Sequence, residues 1–300
     1  MSDHRRRLLE GLPVTERRID VAGVSTPVLE GGAGAPLVLL HGPGEFAGKW
    51  RAILPGLVAR YRVVAPDLPA HGESDLRGGG LDGAAALAWL EALIQRTCPS
   101  PPAIVGHVLG GALAARFAAR RPQRLSRLVL VDSLGLAAFR PQPRFALTMV
   151  GFLARPTEHS YERFMRQCSY DLDGLRVRMG DRWPPYRAYN VELARRPAAR
   201  KVARLLFDLG LRPIPHAELA RIAAPTCLIW GRHDRATPLR VAEAAASRYG
   251  WALKVIENCA DDPPRDQPEA FLEALHDVLA SGPRTDAPAL SSLRAGGAYV

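Results

Sequence analysis

The residues able to do chemistry sit in short turns that follow apolar runs. His41-Gly42-Pro43-Gly44 follows the run 36–40 (PLVLL), and Gly106-His107-Val108-Leu109-Gly110-Gly111 follows 103–105. Asp132 follows 128–131, and Asp234 and Asp261 come after the runs 226–230 and 252–256. The second stretch is the most telling. Gly106 and Gly110 flank one central position between a strand-like run and an alanine-rich helical run, 109–120. That spacing builds a sharp strand-to-helix turn, which lifts its central side chain above a sheet where a nucleophile would stand. The side chain there is the isopropyl group of Val108, which cannot attack anything. Such a turn needs φ > 0, which is costly for a β-branched residue. Either the flanking glycines force the turn on Val108 or it has relaxed.

The elements that must position these turns are legible in the hydrophobic pattern. Segments 16–21 and 24–29 alternate apolar and polar around Ala22-Gly23 and read as a β-hairpin. The run 36–40 is continuously apolar, as strands buried on both faces of a parallel sheet are, and 62–65, 103–105, 128–131, 226–230 and 252–256 read as further strands. Helical patterns stand between them at 49–60, 81–96, 109–120 and 238–249, and 268–279 closes the series. This alternation predicts an α/β fold, a doubly wound and mostly parallel sheet. Loops at the carboxyl ends of such strands converge on one pocket. The rhythm breaks over 134–219, where helical stretches at 144–153, 161–168 and 198–209 are separated by proline-rich breaks such as Pro184-Pro185. We read this as an inserted helical cap. The division is therefore an N-terminal arm 1–14, a core of 15–133 and 220–280, the cap 134–219, and a disordered tail 281–300 rich in Pro, Gly, Ser and Ala.

Composition narrows the function classes. The 300 residues are 47% hydrophobic and 23% charged, as in an ordinary globular domain. The pattern shows no membrane span, and Arg5-Arg6-Arg7 is followed by no long apolar core, so 1–12 does not read as a signal peptide. The scattered cysteines (Cys98, Cys168, Cys227, Cys259) lack metal-type pairing and fit a cytoplasmic protein with reduced thiols. No His, Asp and Cys set has metal-ligand spacing, so no metal or cofactor is expected. The net charge of +10 raises nucleic acid as a partner. It is discounted, because nearly all the positive charge is arginine, spread along the chain as a GC-rich genome would spread it.

In this order the motifs resemble the α/β-hydrolase superfamily, in its capped branch of esterases, epoxide hydrolases, lyases and C–C hydrolases. LVLLHGPG is similar to the family's His-Gly oxyanion loop, and APDLPAHGESD to its D-x-x-G-x-G-x-S loop with Ala70 in place of a glycine. VGHVLGG resembles the nucleophile elbow, LIWGRHDRATP the turn carrying the acid, and IENCADDPPRDQPEAFLEAL the histidine loop and closing helix. The resemblance implies a triad at Val108, Asp234 and Asp261, with the last placed by Gln267-Pro268-Glu269 and Pro263. Only the acid, Asp234, has the required chemistry. The implied oxyanion loop is Gly42, Pro43 and Gly44 with Leu109, and Pro43 has no N–H to donate. Hydrolysis by the usual triad needs nucleophile and base together, so the resemblance implies a degenerate triad.

Three functions compete. The favoured one is a hydrolytically inactive homologue that keeps a pocket for an apolar or oxygenated small molecule, with candidate lining residues His41, His107, Phe139, Phe145, Met149, Trp183 and Tyr186. The aromatics could equally form the cap's own core. The second is a cofactor-free lyase, cyclase, isomerase or oxygenase using Asp234, Asp261 or His107 for proton transfer. The third is a basic partner-binding protein. For the carboxylates themselves, the favoured reading has Asp234 capping its own loop and Asp261 solvated or bound to an arginine, ahead of a proton-moving pair. Asp132 reads as a local hydrogen-bonding residue. The sequence names no ligand and no oligomeric state.

Overall fold

The computed structural model describes residues 2–76 and 81–281; the tail expected over 281–300 lies, apart from Ser281, outside them. Among the described residues the strands β1 (Thr15–Val21), β2 (Val24–Gly31), β3 (Pro36–Leu40), β4 (Arg62–Pro66), β5 (Asp75–Leu76), β6 (Ala103–His107), β7 (Arg127–Val131), β8 (Thr226–Gly231) and β9 (Ala252–Ile256) form one nine-stranded sheet. Its order is β1-β2-β4-β3-β6-β7-β8-β9, with β5 paired to β2. β1, β2 and β4 pair antiparallel, and everything from β4 through β3 to β9 is parallel. The α/β, mostly parallel sheet expected from the apolar runs is what forms. Successive residues of a strand point to opposite faces, so Leu37 and Leu39 enter one core layer while Val38 and Leu40 enter the other.

The helices that sandwich the sheet are α2 (Leu54–Val58), α3 (Gly83–Thr97), α4 (Leu109–Arg120), α11 (Arg240–Tyr249) and α13 (Pro268–Ala280). The helix expected over 49–60 is instead a 3-10 turn, Ala47–Ala52, followed by short α2. Between β7 and β8 the chain forms α5 (Pro143–Ala154), α6 (Glu158–Cys168), α7 (Leu172–Met179), α8 (Trp183–Arg195), α9 (Ala199–Leu205), a π turn at Leu206–Leu211 and α10 (His216–Leu219). Here one expectation is corrected. Pro184-Pro185 is no break; both prolines stand in the first turn of α8. The N–H groups of a first turn have no intrahelical acceptor, so proline costs nothing there.

The N-terminal segment carries an element of its own. Asp3–Leu9 is a helix, α1, capped by Ser2 and packed against α8. Its Arg5 is fully buried. The guanidinium donates to Asp67 Oδ2 at 2.7 Å and Glu16 Oε2 at 2.9 Å, and lies 5.3 Å from the centre of the Phe46 ring. A charge is buried only when paired and hydrogen-bonded, and Glu16 from β1 and Asp67 from the distant loop after β4 meet that condition. No helix among the described residues is long and apolar enough to cross a membrane.

Candidate functional site

The turn between β6 and α4 is intact and strained. Val108 has φ 47° and ψ −102°, so the turn has not relaxed. The glycines around it are required by close approach. A Cβ on Gly106 would lie 2.5 Å from Gly110 O, and one on Gly110 would lie 2.2 Å from Leu40 O. Backbone hydrogen bonds lock the turn to its neighbours. Val108 N donates to Val131 O at 3.0 Å, Leu134 N to Val108 O at 3.1 Å, and Gly110 N to His41 O at 3.1 Å. An unfavourable backbone persists when its surroundings over-determine it, and these bonds do so.

Above the turn lies a cavity of about 250 Å³ between the sheet's carboxyl end and the helices 143–211. Val108 and Asp261 both line it, as do His107, Phe139, Phe145, Met149 and Tyr186 from the candidate set. Two candidates do not. His41 is fully buried one layer behind, with Nδ1–H donating to Gly42 O at 2.8 Å and Nε2 accepting from Leu68 N at 3.0 Å. Trp183 belongs to the apolar core of the helices, packed near Tyr161 and Tyr186, because its large ring fills the space between α6 and α8. Of the oxyanion-loop residues, Pro43 and Gly44 line the cavity. The N–H of Gly42 is committed to Glu45 Oε2 at 2.9 Å. Leu109 is the first residue of α4 and fully buried, so its N–H has no intrahelical acceptor.

Three carboxyls from three loops meet behind Asp261. Asp234 caps its own turn, as expected: Oδ1 accepts from Ala236 N at 2.7 Å and Thr237 N at 2.9 Å, and Oδ2 accepts from Thr237 Oγ1 at 2.6 Å. Asp132 accepts from Gly231 N at 3.0 Å through Oδ1, the local role expected of it, while its buried Oδ2 has no hydrogen-bond partner. Asp261 departs from the expected solvated residue. It is only 8% exposed, and its carboxyl makes no hydrogen bond or ion pair to any described residue. The reason is the loop path. Asp261 N bonds Cys168 O and its carbonyl accepts from His107, so backbone bonds hold it inward. Burial pushes Asp234 up to about 6. Burial and the neighbouring Asp234 push Asp132 well above the usual range. Burial, then Asp234 and Asp262, do the same to Asp261. The Asp132 and Asp234 carboxyls act on one another, which disfavours a negative charge on both at once.

Beside them is a second polar group that the sequence reading did not assemble. Lys49 Nζ lies 3.2 Å from Asp262 Oδ1 and 3.4 Å from Glu45 Oε2. Arg265, in the short helix α12 (Pro263–Asp266), bonds Asp262 and the Tyr186 hydroxyl. Burial raises Glu45, but Lys49, His107 and Arg265 outweigh it and hold its carboxyl well below the usual range. Two spacings carried the signal: Glu45 and Lys49 at i,i+4, and Asp262 and Arg265 at i,i+3. His107 belongs to this group. Lys49 Nζ, which can only donate, bonds Nδ1, so the ring proton is on Nε2 and is donated to Asp261 O at 2.7 Å. Both nitrogens are occupied, which removes His107 from the candidate bases. His71 also lines the cavity; Nδ1–H donates to Pro69 O at 2.9 Å and the buried Nε2 has no partner. Burial lowers its pKa to about 3. Elsewhere, His233 is exposed against Tyr170, His276 lies by Tyr61, and Cys259 is a buried thiol whose pKa burial raises. No group of three or more His, Cys, Asp or Glu side chains among the described residues is arranged to hold a metal ion.

Known proteins share this architecture. Residues 37–274 match the model of the alpha/beta hydrolase family. The pimeloyl-[acyl-carrier protein] methyl ester esterase of Aeromonas hydrophila subsp. hydrophila is 30% identical over 265 residues, 84% of this chain and 98% of its own. A 2-hydroxy-6-oxo-6-phenylhexa-2,4-dienoate hydrolase of Burkholderia cepacia is 29% identical over 273 residues, 84% of this chain and 90% of its own. The solved structure of the Rhodococcus sp. strain RHA1 enzyme with that same name superposes with a TM-score of 0.79 at 24% identity, over 90% of this chain and all of the other.

Proposed function

The chain belongs to the alpha/beta hydrolase family, and from that premise we propose that it is a member that does not hydrolyse, keeping the cavity to bind an apolar small molecule with one polar head. One observation carries the reading: Val108 and Asp261 line the same cavity, at the positions where the resemblance implies nucleophile and base. Relatives named as an esterase and a hydrolase favour hydrolysis for the fold at large. Against it, this chain has no group at Val108 able to form a covalent intermediate, and Asp261 stands where the resemblance implies the histidine base. The strained turn, the required glycines and the apolar walls support continued demand on the cavity's shape. We place the protein in the cytoplasm, on its scattered thiols.

The test is direct. Purified protein should show no turnover of p-nitrophenyl esters above a heat-denatured control, and native mass spectrometry should find a small molecule retained. Ester turnover that persists through further purification would overturn the reading.

A second reading has one specific observation in its favour. The Asp261 carboxyl faces the cavity and is held in its protonated form by burial and Asp234, so it could supply a proton as a lyase or isomerase would need. His107, with both nitrogens bonded, no longer shares that role. Conversion of the retained molecule over time, abolished in Asp261→Asn, would favour this second reading over simple binding.

A further inference from the structure

We propose that the head group bound in this cavity is an ammonium ion, the cavity taking an apolar amine with Asp261 as its counter-ion. The inference rests on the binding reading above and adds the ligand's chemical class.

The geometry behind it is an imbalance of charge at one end of an apolar cavity. Asp132, Asp234 and Asp261 come from the loops after β7, β8 and β9, and no Lys, Arg or His side chain among the described residues forms an ion pair with any of them. The cations nearby are committed. Lys49 is shared among Glu45, Asp262 and His107, and Arg265 is held by Asp262 and Tyr186. Buried charges are normally paired, so three carboxyls without a cation leave a place for one. Asp132 and Asp234 stand behind Asp261 and add to the cost of an unpaired negative charge there. A carboxylate head would add a further negative group beside Asp261, an alcohol would bring no counter-charge, and an ammonium supplies the cation that the Asp261 carboxylate lacks.

Asp261 is the member that can reach a ligand. It alone of the three lines the cavity, its carboxyl has no hydrogen-bond partner among the described residues, and it shares the lining with Val108, Cys168 and aromatic side chains as well as with Glu45, Asp262 and Arg265, which pair with one another. Groups acting on it from the packed elements are Asp132 and Asp234 from their loops, and Asp262, Arg265 and Asp266 on α12. Cys168 on α6 touches its backbone N–H, and His107 on β6 its carbonyl. The carboxyls outnumber the one cation of this set, Arg265, which is already engaged. The empty cavity therefore holds Asp261 protonated. Binding an ammonium ion must expel that proton: the O–H bond of Asp261 breaks, the proton goes to solvent, and the carboxylate pairs with the N–H donors of the ligand. Amine affinity should thus rise with pH until the free amine itself loses its proton.

The experiment compares phenylbutylamine, phenylbutanol and phenylbutanoate, which share one apolar body, by isothermal titration calorimetry on the full-length protein. At neutral pH the amine should bind at least about tenfold more tightly than the alcohol, and the carboxylate most weakly. Titration in buffers of different ionisation enthalpy should show about one proton released per amine bound and none for the alcohol. In Asp261→Asn the preference for the amine over the alcohol should vanish while the alcohol still binds. Proton release is read on the natural protein, so it decides the matter even if the variant folds poorly. Equal or tighter binding of the alcohol, or an amine preference that survives in Asp261→Asn, would overturn the inference and leave the binding reading standing. No binding by any of the three would sink both.

Discussion

Two polar clusters border the same cavity, and they are built on opposite principles. One sets Lys49 and Arg265 against Glu45 and Asp262, two cations against two anions, and uses His107 to tie it to the Asp261 backbone. The other gathers Asp132, Asp234 and Asp261 with no ion pair to a cation among the described residues. The first satisfies itself and stiffens the wall. The second is left unsatisfied in the fold, at the end of the cavity where the chemistry of related proteins is expected. Their pH dependences have opposite sign, which makes the difference measurable.

The largest effect should come from breaking the balanced cluster. Lys49→Met leaves Glu45 and Asp262 facing Arg265 alone in a buried wall, and truncating one member of a buried ion network costs about 3–5 kcal/mol. Asp261→Asn replaces a buried carboxyl that has no partner by a neutral amide, and at pH 8 it should be neutral or stabilising. Urea unfolding of both variants at pH 8 checks this. A loss of similar size in both would mean the clusters are not different in kind.

The second effect is the pH profile of the natural protein. Asp132, Asp234 and Asp261 are all raised in the fold, for Asp234 to about 6. A carboxyl raised on folding contributes stability that is complete below its unfolded value near 4 and is lost as pH rises through its folded value. Glu45, held low, contributes in the opposite sense: its share is present at neutral pH and is lost only as pH falls through its depressed value. Melting temperature should therefore fall as pH rises from about 5 to 8, by the equivalent of roughly 1–3 kcal/mol. Asp261→Asn should flatten that limb without changing the acid limb. A profile that rises over this range would contradict the unpaired state of the three carboxyls.

The same contrast explains what the sequence revealed. The parallel sheet was legible because strands buried on both faces are continuous apolar runs, as at Pro36–Leu40 and Arg127–Val131. The positions of Val108 and Asp261 were legible because the glycines and prolines around them demand particular backbones. The clusters were not. Asp262 and Lys49 lie far apart in the chain and meet only when β3 and β9 end at the same edge of the sheet. Nothing in the run Arg5-Arg6-Arg7 sets Arg5 apart from its neighbours, yet Arg5 is buried because Asp67, 62 positions away, receives it. Helix α8 was missed because a proline pair looks like a break when its place in the first turn is unknown.

A smaller effect concerns the missing hydrolysis. Val108→Ser alone should yield no esterase, since no base stands by it. Combined with Asp261→His, the new imidazole would sit in the uncompensated cluster, within the influence of Asp234, where a cation is favoured. The double variant should show weak but saturable p-nitrophenyl acetate turnover, limited by Pro43, which has no N–H for an oxyanion. Turnover in the serine variant alone would mean that some other group, such as the unpartnered Nε2 of His71, can act as base.

The smallest effect isolates the turn that lies next to both clusters. Val108 is held at φ 47°, where a β-branched side chain is disfavoured by about 1–3 kcal/mol. Val131, at the end of the adjacent strand and fully buried, carries no such strain. Replacing either valine by alanine removes the same two methyl groups. At Val131 the loss should be roughly 2 kcal/mol, from burial and the space left behind. At Val108 relief of crowding should offset most of that loss, leaving a change near zero. Denaturant unfolding of Val108→Ala and Val131→Ala side by side measures the difference, which is expected at about 1 kcal/mol or more. Equal losses would mean that the methyl groups of Val108 fit the turn without strain, and that the chain gives up nothing to keep a nucleophile's geometry without a nucleophile.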